Sequence, residues 1–96
     1  MEVKYSLNYE KDVVQVDIPK LGSNRGIIKH AIESKLTKYP EHFGKPLVGS
    51  LRNYRRLRIG AYRVIFKIQG TSVFIELISH RSKVYKEAVK RLIKKL

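Results

Sequence analysis

The sequence predicts an α+β fold, in which helices pack on a small, mainly antiparallel sheet of about four strands. Side chains alternate in character over residues 2–8, and three further strand-like runs lie within residues 53–79, two that alternate and one that is nearly all apolar. Apolar residues recur every four positions in two other segments, which is typical of amphipathic helices. The resulting order is strand, helix, helix, three strands, helix, and it favours α+β over alternating α/β architecture.

The N-terminal third is predicted to form one strand and two helices. Residues 2–8 alternate and predict the first strand, while residues 10–17 predict a short helix that ends at Pro19. Ser23 or Asn24 can cap the next helix. The apolar stripe of that helix consists of Ile28, Ile32 and Leu36, and Tyr39-Pro40 closes it.

The rest of the chain is predicted to form a loop, three strands and a last helix. Residues 40–52 hold two prolines and two glycines, which indicates a loop. The strands are expected near residues 53–59, 62–69 and 72–79. Gly60-Ala61 and Gly70-Thr71 suit the tight turns between them, because glycine adopts positive φ easily. The third strand is nearly all apolar, so we expect it inside the sheet. The last helix carries an apolar stripe of Val84, Ala88, Leu92 and Leu96.

Length and composition limit the class of protein. Ninety-six residues suit one domain, so we expect a single domain over residues 1–96. The sequence has no cysteine, which excludes disulfides, thiolate metal sites and cysteine nucleophiles. No apolar run approaches the roughly 18–20 residues that span a bilayer, and the N-terminus lacks the apolar core of a signal peptide. We therefore expect a cytoplasmic protein with no membrane partner.

Positive charge dominates the chain, with a formal net charge of +13. Between His42 and Ile75 there are seven Lys or Arg residues and no Asp or Glu. An excess of this size indicates a nucleic acid, an acidic protein or an anionic membrane as partner, and RNA or the ribosome is favoured.

Strand alternation divides this basic segment into two faces. Side chains on a strand point alternately to opposite sides, so two sets are expected. One set holds Tyr54, Arg56 and Arg58, with Arg63 on the facing strand; the other holds Arg55, Leu57 and Ile59. Guanidinium groups bind phosphate bidentately, and several on one surface could stabilise charge that builds on phosphorane oxygens.

Other residue types could supply a proton or a stacking surface. His80 follows the basic strands, and histidine exchanges protons near neutral pH. Tyr54 and Tyr85 could stack on a base, exchange a proton, or simply pack at the edge of the sheet. No histidine spacing or carboxylate cluster indicates a metal site, so we expect no metal and no cofactor.

Two segments resemble the RelE/ParE toxin superfamily. Residues 54–66 read Tyr-Arg-Arg-Leu-Arg-Ile-Gly-Ala-Tyr-Arg-Val-Ile-Phe, which is similar to the pattern W/Y-R-L-R-x-G-x-Y-R-V-x-Y. Residues 80–85 read His-Arg-Ser-Lys-Val-Tyr, which is similar to the C-terminal element H-R-x-x-V/I-Y. Their spacing and the preceding strand-helix-helix order also match, so the resemblance covers nearly the whole chain.

The resemblance implies a RelE-like toxin of a type II toxin–antitoxin pair. Such a toxin is a ribosome-dependent messenger-RNA endonuclease in which the 2′-hydroxyl attacks the adjacent phosphate without a metal. The catalytic residues that it implies are Arg56, Arg63, His80, Arg81 and Tyr85. The residues expected to bind RNA are Arg52, Tyr54, Arg55, Arg58, Lys83 and Lys86. Tyr54 stands where some members have a lysine, so we expect His80 to act as the base and Tyr85 to orient the substrate or donate a proton.

Partners also follow from the resemblance. It implies an acidic, RelB-like antitoxin that covers the basic face or displaces the tail helix, together with the ribosome and mRNA as targets. Two alternatives stay open: a ParE-like inhibitor of DNA gyrase with the same fold, and a non-catalytic basic module that binds nucleic acid or the ribosome. The set Arg56, Arg63, His80 and Tyr85 favours the nuclease, because ParE-like toxins generally lack it.

Overall fold

A computed structural model describes residues 4–93 as a five-stranded sheet with helices on both faces. The strands are β1 (Ser6–Tyr9), β2 (Lys45–Pro46), β3 (Arg55–Ile59), β4 (Tyr62–Gln69) and β5 (Ser72–His80). The α-helices are α1 (Arg25–Lys35), α2 (Pro40–Phe43) and α3 (Val84–Ala88). The predicted α+β fold is confirmed. Among residues 4–93, no helix has the length and apolarity needed to cross a membrane.

The sheet has the strand order β1-β5-β4-β3-β2. β1 runs parallel to β5, and the other three pairings are antiparallel. The three strands predicted within residues 53–79 are confirmed, and so is the interior position of β5. Gly60 and Gly70 lie in the turns with φ of 57° and 60°, as the hairpins require. The first strand begins at Ser6, within the predicted range, whose residues 2 and 3 lie outside the described part of the chain.

Two short helical segments lead from β1 to α1. Val13–Asp17 forms a π-helical turn, and Ile18–Asn24 continues as a 3₁₀ helix. The short helix predicted over residues 10–17 is present and ends at Asp17. The chain nevertheless stays helical through Pro19, because proline is tolerated in a helix's first turn, where its missing N–H would have no partner. The chain leaves helical geometry instead at Gly22, which has φ of 56°.

The segment predicted as a loop contains three short elements. Besides α2 and β2 it forms a 3₁₀ turn at Gly49–Leu51. β2 pairs with β3 and makes five strands instead of about four. A two-residue strand is too short to show alternation, which is why the sequence did not indicate it. Gly44 is needed here, since a Cβ at this position would overlap the ring of Phe66.

Apolar side chains form one cluster on each face of the sheet. On one face, called the α1 face, the N-terminal helices cover residues that include Leu57, Val64 and Phe66. On the other, called the C-terminal face, α3 and the π-helical segment Val89–Ile93 form the C-terminal helix. Its cluster consists of Leu51, Ile65, Leu77, Val84, Ala88 and Leu92. The predicted stripe of the last helix is buried at its first three positions, and Leu96 lies outside the described residues.

A bulge in β5 decides which face the end of this strand presents. Ile65 pairs with Leu77 and Phe66 pairs with Ile75, so Glu76 is an extra residue. Ile75 and Ile78 therefore both pack in the cluster of the α1 face, although they are three residues apart. Beyond the bulge, alternation places Ser79 on the C-terminal face and His80 on the α1 face.

A buried ion pair ties the N-terminal helices to the C-terminal helix. The carboxylate of Asp17, which is 4% exposed, accepts two hydrogen bonds from Arg91, of 2.7 and 3.0 Å. It also accepts one of 2.9 Å from the amide nitrogen of Ile78. The bond with Asp17 raises the pKa of the Arg91 guanidinium above its ordinary value. Asp17 thus accepts a hydrogen bond from the backbone of β5 beyond the residues of that strand that pair with β1.

Candidate active site

Arginines from β3 and β4 meet on the C-terminal face. Arg58 and Arg63 are directly opposite each other, and Arg56 pairs with Ile65, whose side chain is buried in the cluster of the same face. Leu57, which lies between Arg56 and Arg58 in β3, is buried on the α1 face. The predicted division of β3 into an arginine side and an apolar side is therefore confirmed.

The second motif is brought to the same place by the turn after β5. The amide nitrogen of Arg81 donates a hydrogen bond of 2.8 Å to the carbonyl oxygen of Ala61, in the β3–β4 turn. α3 then carries Tyr85, whose side chain is 43% exposed, to β3, where Nη1 of Arg56 donates a hydrogen bond to its hydroxyl. We call Arg56, Arg58, Arg63 and Arg81 the arginine face.

The electrostatics of Arg63 reflect the crowding of positive charge. Reduced contact with water lowers the pKa of its guanidinium, and the charges of Arg58 and Arg56 lower it further. Arg81 acts in the same direction, whereas Tyr85 raises the pKa. Within residues 4–93, no carboxylate forms an ion pair with any arginine of this face. Because arginine stays charged at physiological pH, the face attracts anions strongly.

Arg63 is fixed by the turn beside it. Its Nη1 donates to the carbonyl oxygens of Gly60 and Tyr62, both at 2.9 Å. One nitrogen of the guanidinium makes both bonds, so donors on the others can meet a phosphate. Tyr85 is placed in a comparable way, since its oxygen accepts from Arg56 while its own O–H can be donated to a substrate. The site therefore combines anion binding with a group that can release a proton.

His80 does not join the arginines, contrary to expectation. It pairs with Tyr62 on the α1 face, and the two rings meet edge to face with centroids 5.7 Å apart. Its Nδ1 accepts a hydrogen bond of 3.2 Å from the amide of Ser82. The reason is the bulge at Glu76, since uninterrupted alternation from Ile75 would have put His80 on the C-terminal face. A catalytic role for His80 stays a prediction.

The residues expected to bind RNA are dispersed. Arg58 belongs to the arginine face, and Tyr54 packs partly against the cluster of the C-terminal face. Arg55 points to the α1 face, where its Nη1 donates a hydrogen bond of 2.9 Å to the carbonyl oxygen of Gly44. This bond links β3 to the start of β2 and gives Arg55 a structural contact. The other three are exposed: Arg52, Lys83 and Lys86.

Ser79 and Glu87 were not singled out by the sequence and lie beside the site. Ser79 pairs with Arg63 and is buried, and its hydroxyl donates a hydrogen bond to the carboxylate of Glu87. Glu87 follows Tyr85 by two residues on α3, so this bond fixes the helix against β5. The sequence offered one signal for this contact: Glu87 is an acidic residue within the basic segment that follows His80. Among residues 4–93, no group of three His, Asp or Glu side chains is placed to hold a metal ion.

Known proteins resemble the chain in sequence and in fold. A family model described as the ParE toxin of the type II toxin–antitoxin system parDE matches residues 5–85. The toxin–antitoxin complex RelBE2 of Mycobacterium tuberculosis has 26% identity over 83% of this chain and 94% of that chain, with a TM-score of 0.76. Among curated proteins, no sequence matches.

Two further solved structures share the fold. A mutant of the E. coli toxin RelE in complex with an antitoxin RelB peptide is 24% identical over 93% of this chain and 98% of that chain, with a TM-score of 0.58. The RelB–RelE complex of Methanococcus jannaschii is 22% identical over 81% of this chain and 94% of that chain, with a TM-score of 0.60. The family match spans most of the chain, and the predicted superfamily is confirmed. The chain belongs to the ParE toxin family, within the RelE/ParE superfamily of type II toxin–antitoxin toxins.

Proposed function

We propose that this toxin is a ribosome-dependent endonuclease that cleaves mRNA by attack of a 2′-hydroxyl on the adjacent phosphate. The observation that carries the proposal is the hydroxyl of Tyr85, which Arg56 holds among the guanidinium groups of the arginine face. A surface that only bound RNA would need positive charge alone. A hydroxyl fixed within that charge adds a group that can move a proton at a bound phosphate.

The geometry supports a division of roles in this reaction. The ribose O2′ attacks phosphorus, the P–O5′ bond breaks, and the products carry a 2′,3′-cyclic phosphate and a 5′-hydroxyl. Arg58 and Arg63 would stabilise the negative charge on the non-bridging oxygens of the transition state. Tyr85 would donate its proton to the departing O5′, and the N–H of Arg56 would stabilise the phenolate.

For the proton of the 2′-hydroxyl we propose an acceptor other than His80, the residue that the resemblance implies. His80 faces away from the arginine face, so we propose that this proton passes to water. The ribosome would then hold the message with O2′ in line with the breaking bond, and such orientation can account for a large share of the rate. This division explains why the toxin would depend on the ribosome.

Inhibition of DNA gyrase is the second candidate, because the family model that matches carries the ParE name. The two candidates predict different damage. Purified toxin incubated with programmed ribosomes should cut the message at defined positions, and prior treatment of the toxin with EDTA should leave the cuts unchanged. Intact message together with gyrase-linked DNA breaks would favour the gyrase inhibitor. Intact message without breaks would favour a non-catalytic module.

We also propose an acidic antitoxin as partner, met in the cytoplasm. The similar toxins from M. tuberculosis and M. jannaschii were solved in complexes with their RelB antitoxins. The net charge of +13 favours a negatively charged segment in that role, and so does the arginine face, which has no ion-paired carboxylate among residues 4–93. Charge steering would make association fast and sensitive to salt. Rates of association that did not change with ionic strength would argue against it.

A further inference from the structure

We propose that Tyr62 and His80 form a nucleotide subsite that holds the base next to the scissile phosphate. The ligand is single-stranded RNA, and the inference rests on the proposed nuclease function. It gives His80 a role in positioning the RNA through its ring, instead of the role of a base.

The two rings are held from both sides. His80 is exposed and Tyr62 is half-buried, and their planes meet at 79°. Asn24 donates a hydrogen bond of 3.4 Å to the hydroxyl of Tyr62, and the amide of Ser82 fixes Nδ1 of His80. The hydroxyl oxygen of Ser82 also lies 2.8 Å from Nδ1, so Ser82 holds the ring at this nitrogen. Aromatic and histidine rings fixed in this way provide a stacking surface for an unpaired base.

Two cavities meet at this ring pair and differ in character. One has a volume of about 460 Å³ and an apolar wall that includes Ile27 and Ile59. The other has a volume of about 190 Å³ and is bordered by Lys20 and Lys83, both exposed. A base fits the first environment, and the phosphate of the same nucleotide fits the second. Two carboxylates also border the second cavity, and each is already bonded: Asp17 to Arg91, and Glu87 to Ser79.

The subsite is one turn away from the arginine face. Tyr62 and Arg63 are consecutive residues of β4, so their side chains point to opposite faces. Nη1 of Arg63 also donates a hydrogen bond to the carbonyl oxygen of Tyr62. The β3–β4 turn, with Gly60 and Ala61, forms the rim between them. An RNA strand that crosses this rim would place a phosphate on the arginine face and a neighbouring base on the ring pair. Base flexibility in single strands allows that crossing.

Binding of an RNA that cannot be cleaved tests the subsite. We would use a fluorescent trinucleotide with 2′-O-methyl groups, which lacks the attacking hydroxyl, and versions with an abasic sugar at each position. At one of the three positions, the abasic sugar should weaken binding to the wild-type protein by about 5- to 100-fold, the range for loss of one stacked base. His80→Ala should remove that difference, whereas His80→Phe should keep it because a ring remains.

His42→Ala is the matched control, since His42 is also exposed but lies on α2. It should bind all the oligonucleotides as the wild type does. The inference is overturned if no abasic position weakens binding, or if His80→Phe behaves like His80→Ala. Tyr62→Leu removes the other ring and, like His80→Ala, should abolish the difference between intact and abasic oligonucleotides. Circular dichroism would check that this variant is folded.

The outcome is separable from the nuclease proposal. Because the oligonucleotide cannot react, base-dependent binding by a protein that cuts no message would leave the subsite standing and reject the nuclease. Normal cleavage of messages without base-dependent binding would reject the subsite alone. Cleavage also distinguishes the two roles of His80, since His80→Phe should keep cutting if the ring stacks and should stop if the imidazole is the base.

Discussion

Nη1 of Arg56 on β3 donates a hydrogen bond to the hydroxyl of Tyr85 on α3, across 29 positions of the sequence. The bond joins the two motifs that carry the resemblance to the superfamily. It also places a hydroxyl group, which can donate a proton, beside the guanidinium groups of the arginine face.

Replacing Arg63 should reduce cleavage without unfolding the protein. Arg63→Gln removes a charge that we propose stabilises the transition state, so the rate on programmed ribosomes should fall by about 10²- to 10³-fold. Single-turnover cleavage of message measures this. Arg25→Gln removes an exposed arginine on α1 and should cut at the wild-type rate. A comparable loss in both variants would mean that net charge, and not the position of Arg63, matters.

Replacing Arg58 should stabilise the protein while it impairs the site. Arg58 lies directly opposite Arg63, and like charges in that position repel. Arg58→Thr should therefore raise the free energy of unfolding in dilute buffer by about 0.5 kcal/mol. In about 1 M salt, where charges are screened beyond about 3 Å, the gain should vanish. Urea unfolding at both salt concentrations measures it, and a gain that persisted at high salt would contradict the repulsion.

The ion pair of Asp17 and Arg91 should be costly to break from one side. Arg91→Met leaves the buried carboxylate without its main partner and should lower the free energy of unfolding by about 3 kcal/mol or more. The double variant Asp17→Leu with Arg91→Met should lose less than the single one, because no buried charge remains. Lys90→Met, at an exposed neighbouring position, is the control. If urea unfolding showed that the double variant loses as much stability as Arg91→Met, or more, this coupling would be contradicted.

Two glycines should respond to alanine in opposite directions. At Gly44 the new methyl group would overlap the ring of Phe66, so Gly44→Ala should cost about 1–3 kcal/mol of stability. Gly26 in α1 has open space, and Gly26→Ala should stabilise the helix by about 0.5–1 kcal/mol. Thermal unfolding compares the two. Adding Phe66→Leu to Gly44→Ala should recover part of the loss if the overlap is its cause.

Local sequence patterns predicted the elements that the arginine face needs. Alternation in β3 separated Arg56 from Leu57, and glycines marked both hairpins. What local patterns could not supply was pairing: the bulge at Glu76 depends on how β5 meets β4, and it turns His80 to the other face. The contact of Asp17 with Arg91 spans 74 positions and has no local signal. Long-range register therefore decided which predicted residues share a site.

The most direct measurement is single-turnover cleavage of ribosome-bound message by Tyr85→Phe. This change keeps the ring and removes only the hydroxyl that Arg56 holds, so we expect a rate about 10²- to 10⁴-fold lower, the usual contribution of a positioned proton donor. Binding of uncleavable message should be unchanged. Tyr39→Phe, at another exposed tyrosine, should cut normally. Cleavage by Tyr85→Phe at the wild-type rate would contradict the claim that Tyr85 donates the proton.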